Sequence, residues 1–201
     1  MDKGNIGAMS RRAALGGALS WPLAAGLTVP AKSAAVRQAR GGARILVAYL
    51  SRTGNTRVVA RQIRRVHDAE LFEILPASAY PEDYEETVRQ ATRERASGYE
   101  PPLARNVADI ASYDAVFLGF PIWGTSAPAT IRSFLSRHDL SGKTLVPFIT
   151  HGGYGPGDSL AVVAAHAPRA RVLDPFVLRA DQERETLARV TQWMARIEAP
   201  L

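Results

Sequence analysis

The sequence predicts an α/β protein: a three-layer, doubly wound parallel sheet of five strands, in one domain spanning residues 44–201. Three observations carry that expectation. From Arg44 onward, short apolar runs alternate with segments of helical period. The central runs are apolar throughout rather than alternating, as strands covered on both faces are. The loops that follow the first, third and fourth runs are rich in Gly, hydroxyl and aromatic residues, at the sheet edge where such folds bind ligands.

The elements follow in order. Ile45-Leu46-Val47-Ala48-Tyr49-Leu50 is the first strand, and residues 55–66 are its helix. Residues 71–75 read as strand two, ended by Pro76. A polar helix over residues 84–96 closes at Gly98, and Pro101-Pro102 prevents its continuation. Strand three is residues 115–120 and helix three lies near residues 129–135. Strand four is residues 144–149, and helix four covers residues 159–167 with Asp158 as its expected N-cap. Strand five lies within residues 171–178. The last helix, residues 182–197, places Leu187, Val190, Met194 and Ile197 on one apolar stripe. No internal repeat or second domain is visible.

Ahead of the domain, Arg11-Arg12 opens a stretch from Ala13 to Val29 without charges. Lys32 and the small residues Ser33, Ala34 and Ala35 follow. This reads as an export signal over residues 1–35 with a linker at residues 36–43. The apolar part is too interrupted for a membrane span, which needs about 20 apolar residues. The paired arginines resemble the twin-arginine export signal, with Ala14 where Phe is usual. That implies a periplasmic protein exported already folded. The other reading is a disordered Ala/Gly/Arg-rich tail on a cytoplasmic protein.

Composition excludes several chemistries. The 201 residues contain no cysteine, so disulfides, thiolate metal sites and thiol nucleophiles are absent. The formal charge is +6, but without residues 1–35 it falls to +3, 21 basic against 18 acidic side chains. These cations are scattered among glutamates without interleaved aromatics, so no nucleic-acid partner is expected. His67, His138, His151 and His166 lack ligand spacing, so no metal site is expected.

Three loops carry the functional reading. Ser51-Arg52-Thr53-Gly54-Asn55-Thr56 joins a strand to a helix. Free amides at a helix start, the helix dipole and hydroxyl donors together bind a phosphate. The plain alternative is a helix cap. The loop lacks the G-x-x-x-x-G-K-[ST] pattern, so a triphosphate is not expected. Pro121-Ile122-Trp123-Gly124 sets an aromatic beside a glycine at the end of strand three. Trp123 is either a planar contact for a ligand or a core or interface aromatic. Thr150-His151-Gly152-Gly153-Tyr154 begins a loop with four glycines in residues 150–157. Such a loop is either a mobile connection or a backbone approach to a flat ligand. His151 is expected to be a solvated loop histidine.

With these loops in place, the chain resembles the flavodoxin family, in the bacterial branch that opens with I-L-V-A-Y-x-S-R-T-G-N-T. Tyr80-Pro81-Glu82-Asp83-Tyr84, Leu140-Ser141-Gly142-Lys143-Thr144 and Thr150-His151-Gly152-Gly153 also look like that branch. The resemblance covers residues 44–197 and implies strand order 2-1-3-4-5 and one noncovalent FMN. By the same resemblance Ser51, Arg52, Thr53, Gly54, Asn55 and Thr56 hold the phosphate. Pro121, Ile122, Trp123 and Gly124 flank the ring, and Thr150, His151, Gly152, Gly153 and Tyr154 cover its pyrimidine edge and other face. The family's peptide rotation at reduced flavin falls on Gly124. An electron carrier that docks on redox partner proteins heads the expectations. An FMN-dependent reductase of quinones or similar acceptors, using NAD(P)H, comes second, and a non-redox phosphate-ligand module third. No catalytic acid–base set is expected.

Overall fold

The computed structural model describes residues 42–180 and 183–197. The expected export signal and most of the linker lie outside the described residues. The sheet has the order β2-β1-β3-β4-β5, all pairs parallel, built from β1 (Ile45–Tyr49), β2 (Glu70–Glu73), β3 (Ala115–Pro121), β4 (Thr144–His151) and β5 (Arg171–Val172). A further strand, β6 (Phe176–Arg179), also pairs with β4. The helices are α1 (Asn55–His67), α2 (Tyr84–Ser97), α3 (Ala129–Arg137), α4 (Ser159–His166) and α5 (Glu183–Arg196), with a 3-10 turn at Ile110–Ser112. The predicted doubly wound α/β architecture is the one observed.

Alternation along each strand distributes side chains to two cores. Leu46 and Ala48 of β1, Val116, Leu118 and Phe120 of β3, and Leu145 and Ile149 of β4 pack on α3 and α4 through Ile131, Phe134 and Val163. Val47, Phe117, Val146 and Phe148 point the other way, onto Val59 and Ile63 of α1 and Val190 and Met194 of α5. Every one of these side chains is buried. Gly119 is forced by this packing. The Phe148 ring fills the place of its missing side chain, so a Cβ there would lie 2.0 Å from Phe148 Cζ.

Four local expectations need correction. The fifth strand is split. β5 pairs with Thr144 and Leu145 and β6 with residues 148–151, across Pro175, which has no N–H for the ladder. Leu187 is 45% exposed and stands off the apolar stripe that Val190 and Met194 bury. Asp158 occupies the position before α4, but its side chain makes no capping hydrogen bond. Strand two also begins at Glu70 and ends at Glu73, because after Ile74 residues 75–77 turn away to pair with residues 102–104.

No helix among the described residues is long and apolar enough to cross a membrane.

Candidate functional site: three loops at the carboxyl edge of the sheet

The loop at residues 51–56 leaves β1 and enters α1 through Gly54, whose φ of +96° lies in the left-handed region open to glycine. The Ser51 hydroxyl accepts the amides of Gly54 (3.2 Å) and Arg57 (3.3 Å) and so folds the turn upon itself. Gly54 itself offers α1 no side-chain cap, and the first amides of the helix belong to Asn55 and Thr56, at the end of a helix where an anion site draws its donors. Asn55 Nδ2 donates to Thr53 Oγ1 at 3.3 Å, which keeps two exposed polar groups together at the loop's rim. Thr56 is different. It is buried, and its hydroxyl shares a 2.8 Å hydrogen bond with the Thr150 hydroxyl, tying the first loop to the third.

The nearby cations have other partners. Arg57 Nη2 donates to Glu73 Oε1 at 2.6 Å. Arg52 Nη2 donates to the Glu82 carbonyl at 2.6 Å, and its guanidinium lies over the Tyr84 ring. An anion in this turn is therefore addressed by amides and hydroxyls.

Pro121 ends β3 with Ile122, whose amide donates to the Thr150 carbonyl. Residues 123–126 then close a tight turn, the Trp123 amide donating to the Ser126 carbonyl at 3.2 Å. Gly124 takes φ +67° within it. Trp123 is half-buried, and the Tyr80 ring meets it edge-on with centroids 4.5 Å apart. The Tyr80 hydroxyl donates to the buried Glu94 carboxylate at 2.7 Å and pairs with Thr130, and burial pushes the phenol well above its ordinary pKa. Tyr80 thus props Trp123 from below. The sequence marked Tyr80 only as part of a family-like motif.

The third loop is organised by His151. Its Nδ1 accepts the amides of Gly153 (3.0 Å) and Gly155 (3.1 Å), so Nδ1 is unprotonated in this structure. His151 is half-buried rather than a freely solvated loop histidine. The glycines serve the loop's own geometry. Gly153, Gly155 and Gly157 have positive φ, while Gly152 has open space where a Cβ would be. Gly157 presses on the second loop, since a Cβ there would lie 1.8 Å from the Thr125 carbonyl oxygen. The Asp158 amide donates to that same oxygen at 3.0 Å. Tyr154 projects from this loop 94% exposed, leaving its ring free to meet a ligand or partner.

A cleft of about 620 Å³ runs between Ser51, Arg52 and Thr53 on one side and Trp123 on the other. That lies within the range of small-molecule clefts, roughly 300–1,000 Å³. Pro76, Ala79, Tyr80 and Ala104 also line it, which sequence reasoning missed because this part forms only when residues 75–77 meet residues 102–104. Residues 150–154 do not line the cleft; Thr150 meets the other two loops at Thr56 and Ile122, and further along the same loop Gly157 and Asp158 meet Thr125. The Ser126 and Ser159 hydroxyls are buried at that junction without a partner among the described residues. No cluster of three metal-ligating side chains occurs among the described residues.

An uncapped helix start beside a half-buried tryptophan, in a doubly wound sheet of order 2-1-3-4-5, defines the class: a flavodoxin-like nucleotide-binding fold. Comparison makes this specific. The family model described as flavodoxin matches residues 44–197. A candidate flavoprotein from Bacteroides eggerthii is 31% identical, with TM-score 0.67 over 79% of this chain and 99% of that one. One from Bacteroides uniformis is 30% identical, with the same TM-score over 77% and 99%. A Lactobacillus acidophilus flavoprotein in complex with FMN shares the fold at 21% identity, TM-score 0.60, over 73% and 99%. No curated protein matches. The chain belongs to the flavodoxin family.

Proposed function

We propose that this protein binds one FMN noncovalently at the three-loop edge and transfers electrons to and from redox partner proteins. The observation that carries this reading is the cleft lined both by Ser51, Arg52 and Thr53, in the loop that leads into α1, and by Trp123. FMN, when bound, supplies a centre that takes up and releases one or two electrons.

The chain's own residues do the rest. The amides of Asn55 and Thr56, with the Thr53 hydroxyl, hold the phosphate. Trp123 presents its ring, backed by Tyr80, and Tyr154 supplies a second aromatic that is otherwise left in water. Gly124, already at positive φ, lets the turn's peptide rotate. Through Nδ1, His151 holds the glycine loop in shape around the site.

The test is a titration of the purified chain with FMN and with riboflavin, followed by absorbance and fluorescence. Saturation at about one equivalent of FMN is expected. Replacing Thr53 and Asn55 together by Ala should weaken FMN while leaving riboflavin unchanged, because riboflavin lacks the phosphate. Equal losses for both ligands would remove the phosphate role from this loop. A chain that ignores FMN would favour a non-redox phosphate-ligand module.

A second reading is an FMN-dependent reductase of a small acceptor, favoured by the apolar residues Pro76, Ala79 and Ala104 that line the same cleft as Trp123. Steady oxidation of NAD(P)H by the FMN-loaded chain with a soluble quinone would promote it over the carrier. Export is inferred from Arg11-Arg12 and the uncharged stretch after it. It predicts that replacing both arginines by Lys leaves the protein, with its N-terminal segment uncleaved, in the cytoplasmic fraction. An unchanged distribution would remove the export signal.

A further inference from the structure

We propose that Arg95 sets the reduction potential of this site by holding a positive charge beside the Gly124 turn. The inference rests on the FMN reading above and goes beyond it, because Arg95 lies on α2, outside all three loops.

Arg95 stands one residue after the buried Glu94 but points the other way, to the surface. Its Nη1 donates to Thr125 Oγ1 at 2.9 Å. The same nitrogen lies 3.7 Å from where a Gly124 Cβ would be, the closest neighbour that position has. Thr125 is a fixed anchor rather than a loose contact. Its carbonyl accepts the Asp158 amide and Gly157 packs directly against it, so two loops hold the hydroxyl that receives Arg95. A long, flexible cation is thereby localised at one end of the Trp123–Ser126 turn.

No carboxylate among the described residues neutralises it. The ion pairs of the domain join Arg44, Arg57, Arg89, Arg169 and His166 to their acids, and Arg95 is in none of them. Asp158 of the third loop meets Thr125 through its backbone amide, and its carboxylate forms no ion pair with Arg95 among the described residues. Of the other cations near the cleft, Arg57 is paired with the Glu73 carboxylate, while Arg52 donates to the Glu82 backbone carbonyl and keeps its charge. The local field at the Gly124 turn is therefore positive.

A positive charge favours whichever bound state carries more negative charge. Reduction adds electrons to the ring, so Arg95 strengthens binding of the reduced form relative to the oxidised one and raises the potential. At a partly exposed site about a tenfold preference is expected, equivalent to about 30 mV for a two-electron couple.

The experiment compares full-length wild type, Arg95→Gln and Arg95→Lys. Each is read by its midpoint potential and by oxidised FMN affinity at low and high salt. Arg95→Gln should lower the potential by about 30 mV with oxidised affinity nearly unchanged. Arg95→Lys, which keeps the charge, should restore most of it. The difference should shrink as salt is raised, because an exposed charge is screened. An Arg95→Gln potential equal to wild type overturns the inference, as does an Arg95→Lys potential as low as Arg95→Gln. A gap that ignores salt overturns it too, because the effect would then be geometric. Wild type that leaves FMN free removes both the FMN reading and this one. Wild type that binds FMN while Arg95→Gln keeps its potential removes this one alone.

Discussion

Trp123 and Tyr154 are the two aromatics of the three loops, and they sit in different surroundings. Trp123 is half-buried and braced by the edge of Tyr80, whereas Tyr154 is 94% exposed and touches little. Replacing Tyr154 by Ala should therefore leave the melting temperature unchanged and weaken FMN by up to about tenfold, the worth of one aromatic stack. Trp123→Ala should weaken FMN at least as much and also lower the melting temperature, because it removes the support that Tyr80 meets. A fluorescence titration paired with a thermal melt separates the two effects. If Tyr154→Ala binds FMN like wild type, Tyr154 is outside the site.

At the scale of elements, the β3–β4 pair is the rigid base from which two of the three loops spring. Its packing depends on Gly119, which lies beside Phe148 in the register and leaves its side-chain space to that ring. Phe148 is fully buried and cannot swing away, so Gly119→Ala should cost about 1–3 kcal/mol through overpacking. The midpoint of a urea melt measures this; an unchanged midpoint would mean that β3 and β4 slide apart freely. The loops themselves are linked element to element. Thr56 of α1 meets Thr150 of β4, and the start of α4 rests on Thr125 through Asp158 and Gly157. This linkage makes a single site out of segments as far as 94 residues apart in the chain.

For the molecule as a whole, the buried histidines tie stability to pH. Burial lowers the His138 pKa, with Arg137 adding to the effect and the Phe134 carbonyl opposing it; burial alone lowers that of His67. His138 accepts the Val107 amide through Nε2 and pairs with the Phe134 carbonyl through Nδ1, so the neutral ring bridges α3 to the crossover before β3. Above about pH 6.5 both folded and unfolded chains are neutral at these sites and the stability is fully present. As pH falls below about 6.5 the unfolded chain takes up protons that the folded one resists. Stability declines until the lowered folded pKa values are passed, then levels off. His138→Gln should lower stability at pH 7.5 yet flatten this decline, measured as urea midpoints at pH 7.5 and 5.5. An equally steep decline in the variant would assign the effect elsewhere.

The layered sheet was legible in the residues because it rests on local signals. Uninterrupted apolar runs, helical period, and Gly or Pro at the breaks each act within a few residues, and residues 45–50, 115–120 and 144–149 all became strands. The loop at residues 51–56 was legible for the same reason: a strand, a glycine turn and a helix start are neighbours in sequence. Even the break in the last strand was written in Pro175, though the apolar run around it concealed the interruption. What the sequence could not determine is which polar group each site residue meets. The pairing of Thr56 with Thr150, the docking of Arg95 on Thr125, the hold of Tyr80 on Trp123 and the wall made by residues 76–80 with Ala104 all join segments tens of residues apart. Those contacts exist only after the sheet has set the spacing of its loops, so local chemistry determined the frame and tertiary structure decided the partners.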